Sequence, residues 1–66
     1  MVNIVIPIEQ ILGFIGNNAI PSIEALVDET FITGDTISIG NQERRYRREE
    51  RTELIAEIQR IYNENI

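Results

Sequence analysis

The sequence contains no cysteine, histidine, lysine or tryptophan among its 66 residues. A disulfide is therefore impossible, and so is a zinc site built from thiolate or imidazole ligands. Acid–base catalysis near neutral pH would fall to carboxylates with a raised pKa, or to Tyr46 and Tyr62. The serine and threonine hydroxyls have no histidine or lysine to activate them. We therefore expect a protein that is not an enzyme and needs no cofactor.

Motifs for phosphate and metal binding are also missing. No calcium-loop pattern occurs, and Gly13 and Gly16 lack the lysine or third glycine of a phosphate-binding loop. Glu53 and Glu57 lie one helical turn apart, with Glu49 and Glu50 just before them, but arginines surround these carboxylates. Charged helical faces are ordinarily solvated, so we expect no metal site.

Long hydrophobic runs are absent. The longest uncharged stretch, residues 10–23, includes two asparagines and a proline and is too short to span a bilayer. The start of the chain has no basic segment, and Pro7 and Glu9 interrupt its apolar residues, which argues against a signal peptide. We expect a cytoplasmic or virion-associated protein without a membrane partner. The net charge of −5 argues against general nucleic-acid binding.

The small size of the chain bears on its stability. A chain of this length forms a single domain, residues 1–66, and buries only about 60% of the surface that it exposes when unfolded. Small folds usually gain stability from a disulfide, a metal or a partner subunit. Isoleucine dominates the apolar residues, and isoleucine that the domain cannot bury would form an exposed patch. We therefore expect a homo-oligomer.

Hydrophobic periodicity predicts a small α+β domain. Residues 2–6 alternate as a short strand, followed by a first short helix that ends at residues 16–18. A second short helix begins at Pro21 or Ser22 and ends at residues 33–35. Residues 36–39 and 43–47 form a β-hairpin around Gly40. A long amphipathic helix closes the chain, with an apolar stripe of Leu54, Ile55, Ile58, Ile61 and Tyr62.

All six basic residues are arginines, and five of them lie in residues 44–51. This arginine block carries +3, from five arginines minus Glu49 and Glu50, so the rest of the chain carries −8. Arginine binds carboxylate and phosphate with two parallel hydrogen bonds, and Tyr46 adds a stacking surface. The alternative is pairing within the chain, such as Arg47 with Glu50. We favour contact between the block of one subunit and the acidic residues 1–43 of another.

Two apolar segments are further candidates for subunit contacts. The strand at residues 2–6 is apolar on both faces and could add to the sheet of a neighbouring chain. The stripe of the last helix either covers its own core or packs on a second copy. The expected interface therefore consists of Val2, Ile4, Ile6, Arg44, Arg45, Tyr46, Arg47, Arg48, Arg51, Ile58, Ile61 and Tyr62.

Three functions are compatible with these patterns. The favoured hypothesis is a non-enzymatic assembly or adaptor protein that acts through protein–protein contacts. From Ser22 onward, Thr33-Gly34 after a helix, a turn at Gly40, Tyr46 and the amphipathic last helix resemble small phage head–tail joining proteins of the lambda W type. That resemblance implies a helix–hairpin–helix plan and a structural role in a virion. It does not extend to the apolar first third of the chain.

The two alternatives rest on charge. The helix-turn-helix and hairpin order resembles small winged-helix excisionases, with the arginine block on DNA phosphates. The helix that would read DNA is acidic, through Glu24, Asp28 and Glu29, which disfavours this alternative. The second alternative is an inhibitor or decoy that uses the acidic residues 1–43 to occupy a basic site on a target.

Overall fold

The computed structural model describes residues 1–14 and 19–65. It confirms a small α+β domain with the predicted order of elements. These are strand β1 (Asn3–Ile6), helix α1 (Ile8–Leu12), helix α2 (Ala19–Thr33), strands β2 (Thr36–Ile39) and β3 (Tyr46–Arg47), a 3-10 turn (Arg48–Glu50) and helix α3 (Arg51–Glu64). No helix within the described ranges is both long and apolar enough to cross a bilayer.

The three strands form one sheet in the order β1-β2-β3. β1 pairs with β2 in parallel, with Asn3 opposite Thr36 and Ile6 opposite Ile39. β2 pairs with β3 antiparallel, with Ile37 opposite Tyr46. A parallel pair needs a long crossover, which here contains α1 and α2. Because β2 has a neighbour on each side, all four of its residues are buried.

The helix boundaries follow from proline and glycine chemistry. Pro7 precedes α1 with φ −66°, an angle that its ring imposes and that suits a helix start. Helix α1 ends at Leu12, with Gly13 as its C-cap, which is earlier than predicted; residues 16–18, where the stop was predicted, lie outside the described residues. α2 begins at Ala19, earlier than predicted, because Pro21 falls in the first turn, where a missing N–H costs no hydrogen bond.

The core lies on one face of the sheet, between the strands and the helices. Ile37 and Ile39 of the middle strand and Ile58 of α3 are fully buried in it. Most of the isoleucines thus find cover within a single chain. The buried core residues are Ile6, Ile11, Ile23, Val27, Phe31, Ile37, Ile39, Tyr46, Leu54, Ile55, Ile58 and Ile61.

The opposite face of the sheet carries polar side chains from its first two strands. The hydroxyls of Thr36 and Ser38 both donate to Oδ1 of Asn3, at 2.6 and 3.2 Å. These two hydroxyls are buried but satisfied, as buried polar groups generally are. Val5 lies on the same face, since its register partner is Ser38. We call this side of the sheet the outer face.

The turn after β2 depends on Gly40. Its φ is +51°, a left-handed conformation that glycine adopts without strain. An added Cβ would also lie 2.8 Å from Cγ1 of Ile8. The N–H of Gly40 donates to the carbonyl of Ile6 at 2.8 Å, so this turn also continues the β1–β2 ladder. The return strand is shorter than predicted, Tyr46–Arg47.

We expect Gly40→Ala to lower the free energy of unfolding by at least about 1–2 kcal/mol, because alanine is strained in the left-handed region. Gly13→Ala is the matched control, since Gly13 has φ −79° and an added Cβ would make ordinary contacts. It should stabilise the protein by about 0.4–1 kcal/mol. Urea denaturation followed by circular dichroism measures both. Equal effects of the two substitutions would contradict the role assigned to Gly40.

Candidate functional site

The arginine block begins with Arg44, which binds carboxylates of its own chain. Its Nη2 lies 2.9 Å from Oε2 of Glu50 and 2.7 Å from Oε2 of Glu53. Its guanidinium also stacks on Tyr46, 4.3 Å from the ring centroid. These contacts join the loop before β3 to the beginning of the last helix. Since the side chains are substantially exposed, the ion pairs contribute little to stability.

Glu50 is bound from two sides. Its Oε1 accepts the backbone N–H of Arg47 at 3.1 Å, which satisfies a donor at the start of the 3-10 turn. This hydrogen bond and then the guanidinium of Arg44 lower the pKa of Glu50. The pairing of Arg47 with Glu50 considered from the sequence therefore exists, but through the main chain of Arg47.

Arg48 caps the C-terminal end of α2. Its Nε donates to the carbonyl of Phe31 at 3.1 Å, its Nη2 donates to the same oxygen, and Nη2 also donates to the carbonyl of Gly34 at 3.0 Å. Helix C-terminal carbonyls have no partner inside the helix and carry partial negative charge, which a cation stabilises. Asp35 lies 3.9 Å from Nη1 of Arg48. Arg48 thus ties the 3-10 turn to α2.

Arg51 joins the two long helices. Its Nε and Nη2 donate to the two carboxylate oxygens of Asp28, at 2.6 and 3.1 Å. This two-point geometry suits the planar guanidinium. The hydrogen bonds lower the pKa of Asp28 and raise the pKa of Arg51. The pair fixes the start of α3 against the exposed side of α2.

Outside the block, Arg60 forms a network along α3. It binds both carboxylate oxygens of Glu57 at 2.7 and 2.8 Å, and those of Glu64 at 2.8 Å. Gln42 donates a further hydrogen bond to Glu57 at 3.2 Å. Arg60 first, and Gln42 to a smaller extent, lower the pKa of Glu57 to about 2.

Arg45 and Arg47 differ from the other arginines. Both side chains are exposed, and neither makes an ion pair with a side chain in residues 1–14 or 19–65. Tyr46 between them is buried, and alternate residues of a strand point to opposite faces. Arg47 therefore projects on the outer face of the sheet, opposite Thr36. Within the block, these two arginines are the ones that form no ion pair with the described residues.

Four apolar residues of the expected interface lie in the core of the single chain. Ile6, Tyr46, Ile58 and Ile61 are buried, so the expectation that they contact a partner is corrected. Ile6 and Tyr46 belong to strands β1 and β3, and Ile58 and Ile61 belong to the apolar stripe of α3; all four lie in the same core cluster. Tyr62 is half-buried and packs against the same core.

The beginning of the chain remains accessible. Val2 is 54% exposed and Val5 is 51% exposed, while Ile4 is half-buried. The expected interface did not include Val5. Because Val5 alternates with Ile4 and Ile6 along the strand, the sequence pattern places it on the opposite, outer face. Ile20 and Ile32 of α2 are further exposed apolar residues that the expected interface did not include.

The outer edge of β1 is open. No strand of the described residues pairs with β1 on the side away from β2. The carbonyls of Val2 and Ile6 accept hydrogen bonds from the β2 side, through Thr36 and Gly40. In a parallel ladder, alternate residues bond to the same neighbour, so the N–H and C=O groups of Asn3 and Val5 face the open edge.

A cleft of about 240 Å³ lies where β1 and β2 end, lined by Val5, Pro7, Ile8, Glu9, Gly40 and Asn41. Glu9 is the one ionisable side chain in this lining. The cleft therefore offers no pair of groups for acid–base catalysis. In the described part of the chain, no three acidic side chains gather in the arrangement of a metal site.

Comparisons with protein-family models, with curated proteins and with solved structures found no match to this chain.

Truncation of the capping arginine should be costly. We expect Arg48→Ala to lower the free energy of unfolding by about 1.5–3 kcal/mol, because the charged hydrogen bonds to the end of α2 are lost. Arg47→Ala is the matched control and should change it by no more than about 0.5 kcal/mol. Denaturant titration of both variants measures the difference. Similar losses in both would argue against the capping role of Arg48.

The stability of the protein should fall in acid as Glu57 is protonated. Its pKa is lowered in the fold to about 2, so its contribution is complete above about pH 4.5 and is lost as the pH falls toward 2. Because Arg60 is exposed, we expect the contribution to be at most about 1 kcal/mol. Glu57→Gln should flatten the stability profile between pH 4.5 and 2, measured by urea denaturation. An unchanged slope would contradict this assignment.

Proposed function

We propose that this protein is a small assembly or adaptor protein that acts through protein–protein contacts and associates with itself. The observation that carries the proposal is the open, uncharged edge of β1. An edge strand presents unpaired N–H and C=O groups, which can pair with another chain. Nothing in the described residues pairs with this edge.

The two edges of the sheet support the proposal by their contrast. β3 has only two residues, one of which is Arg47, and it is flanked by Arg45 and Arg48; short, charged edges resist unwanted pairing. β1 is longer, and residues 1–8 contain no charged side chain. Short strand length and charged side chains, which oppose strand addition, thus occur at the β3 edge of the sheet and not at the β1 edge.

Exposed apolar side chains lie beside the open edge. Val2 and Val5 are about half exposed and Ile4 is half-buried, so all three can bury further surface against a neighbouring chain. Burial of such surface contributes about 25 cal/mol per Å² before the costs of association. A contact built on one short strand is small, and we expect it to be weak and concentration-dependent.

Arg45 and Arg47 supply a second, polar element for a partner. Their charges are not neutralised by ion pairs in the described residues, whereas Arg44, Arg48 and Arg51 are engaged within the chain. Charge complementarity of this kind increases association rates and selects partners more than it raises affinity. In the proposed role, these two arginines meet acidic groups of a further partner protein.

The DNA-binding alternative has less support. Glu24, Asp28 and Glu29 are exposed on α2, the helix that would enter the groove. DNA phosphates repel such a face, and two arginines alone provide a small phosphate contact. For the inhibitor or decoy alternative, no geometric feature of the acidic residues singles out a basic target.

A charge placed on the open edge tests the proposal. We expect the wild-type chain to show a mass that rises with concentration in size-exclusion chromatography with light scattering. Val5→Lys should raise the dissociation constant at least about tenfold, equivalent to about 1.4 kcal/mol, because an edge lysine opposes strand pairing. Circular dichroism confirms that the variant is folded.

Ile20→Lys is the matched control, since it replaces a β-branched residue of similar exposure on α2. It should leave association unchanged. A wild-type chain that remains a monomer at every concentration would overturn the proposed self-association. Equal weakening by both lysines would move the contact away from β1.

A further inference from the structure

The main-chain geometry of β1 specifies how a second copy can pair with it. The free N–H and C=O groups belong to Asn3 and Val5, because those of Val2 and Ile6 point to β2. Antiparallel pairing with another β1 must therefore place odd-numbered residues opposite odd-numbered residues. A shift by one residue would present groups that are already bonded to β2.

From this geometry we infer that two copies of the chain pair their β1 strands antiparallel, about a two-fold axis at Ile4. The inference rests on the proposed function and adds the partner and the register. Asn3 of each copy then lies opposite Val5 of the other, and each such pair exchanges both main-chain hydrogen bonds. Ile4 lies opposite Ile4 of the second copy.

Proline excludes one neighbouring register, and the length of β1 disfavours the other. A pairing centred on Val5 places Pro7 opposite Asn3, and Pro7 has no N–H to donate. A pairing centred on Asn3 requires Met1, which precedes β1. The Ile4-centred register uses both free residues of the described strand and ends where Pro7 would begin to interrupt it.

The side chains fit this arrangement. Directly opposed residues of an antiparallel pair share one face of the sheet, so the two half-buried Ile4 side chains meet on the helix-covered face. On the outer face, Val5 of each copy lies beside Asn3 of the other. Because residues 1–8 carry no charged side chain, the pairing brings no like charges together along the strand.

The two-fold axis also aligns the sheet layers and the helix layers of the two copies. An axis perpendicular to the sheet places the helices of both copies on the same side and continues the sheet in the order β3-β2-β1-β1-β2-β3. The arginine-flanked β3 strands then form both outer edges. Such a dimer has no uncharged edge left for further addition, so the association closes at two copies.

The absence of cysteine from the natural chain makes disulfide trapping a specific test. In the inferred register, the Cα atoms of two opposed residues at position 4 lie about 4.5 Å apart, within the range that a disulfide spans. The two copies of residue 3 lie diagonally across the strand pair, about 7–8 Å apart, and so do the two copies of residue 5. The two copies of residue 2 lie farther apart. Ile4→Cys should therefore cross-link as a dimer under mild oxidation, whereas Val2→Cys, Asn3→Cys and Val5→Cys should not.

A second measurement uses the unmodified chain, because Ile4 packs beside Gly34 and its replacement could weaken the fold. Amide hydrogen exchange followed by NMR should show the N–H groups of Asn3 and Val5 becoming protected as the concentration rises. The β2 amides should be protected already at low concentration, since their bonds lie within one chain. Ile4→Ser serves as the folding control for Ile4→Cys.

The outcomes separate the register from the proposed function. A dimer that cross-links through position 4 and protects the Asn3 and Val5 amides is the expected result. A dimer that cross-links through another position, or leaves these amides unprotected, would overturn the register and leave self-association standing. A monomer at all concentrations would overturn both.

Discussion

The parallel pairing of β1 with β2 is the constraint on which the rest of this structure depends. It requires a crossover, and that crossover brings α1 and α2 over one face of the sheet. It also places β2 in the middle, where all four of its residues are buried. The same pairing leaves β1 at an edge, so the strand that completes the core also carries the unpaired main chain.

The arginines illustrate how position within a fold assigns different tasks to identical side chains. Arg48 satisfies carbonyls at the end of α2, Arg51 joins α2 to α3, and Arg44 binds the start of α3. Arg45 and Arg47 point away from the core because they alternate with the buried Tyr46. A block that is continuous in sequence is therefore divided between internal bracing and an exposed pair.

Local patterns predicted the elements well where one periodicity dominated. The apolar stripe of α3, the strand at residues 36–39 and the glycine turn at Gly40 all follow from spacing and turn chemistry. The predicted start of α2 lay too late in the chain, because a proline is equally acceptable as the first residue of a helix or within its first turn. The interface residues were harder to predict, because the burial of Ile58 and Ile61 depends on which helices and strands pack together.

The sequence by itself determined that this chain has no disulfide and no thiolate or imidazole zinc site, and it set the order of strands and helices. Composition and short-range periodicity suffice for these properties. The tertiary structure decided which edge is open, which arginines are engaged and which isoleucines are covered. These properties arise from contacts between residues distant in the chain, such as Val2 with Asp35 and Arg51 with Asp28, and no local pattern encodes them.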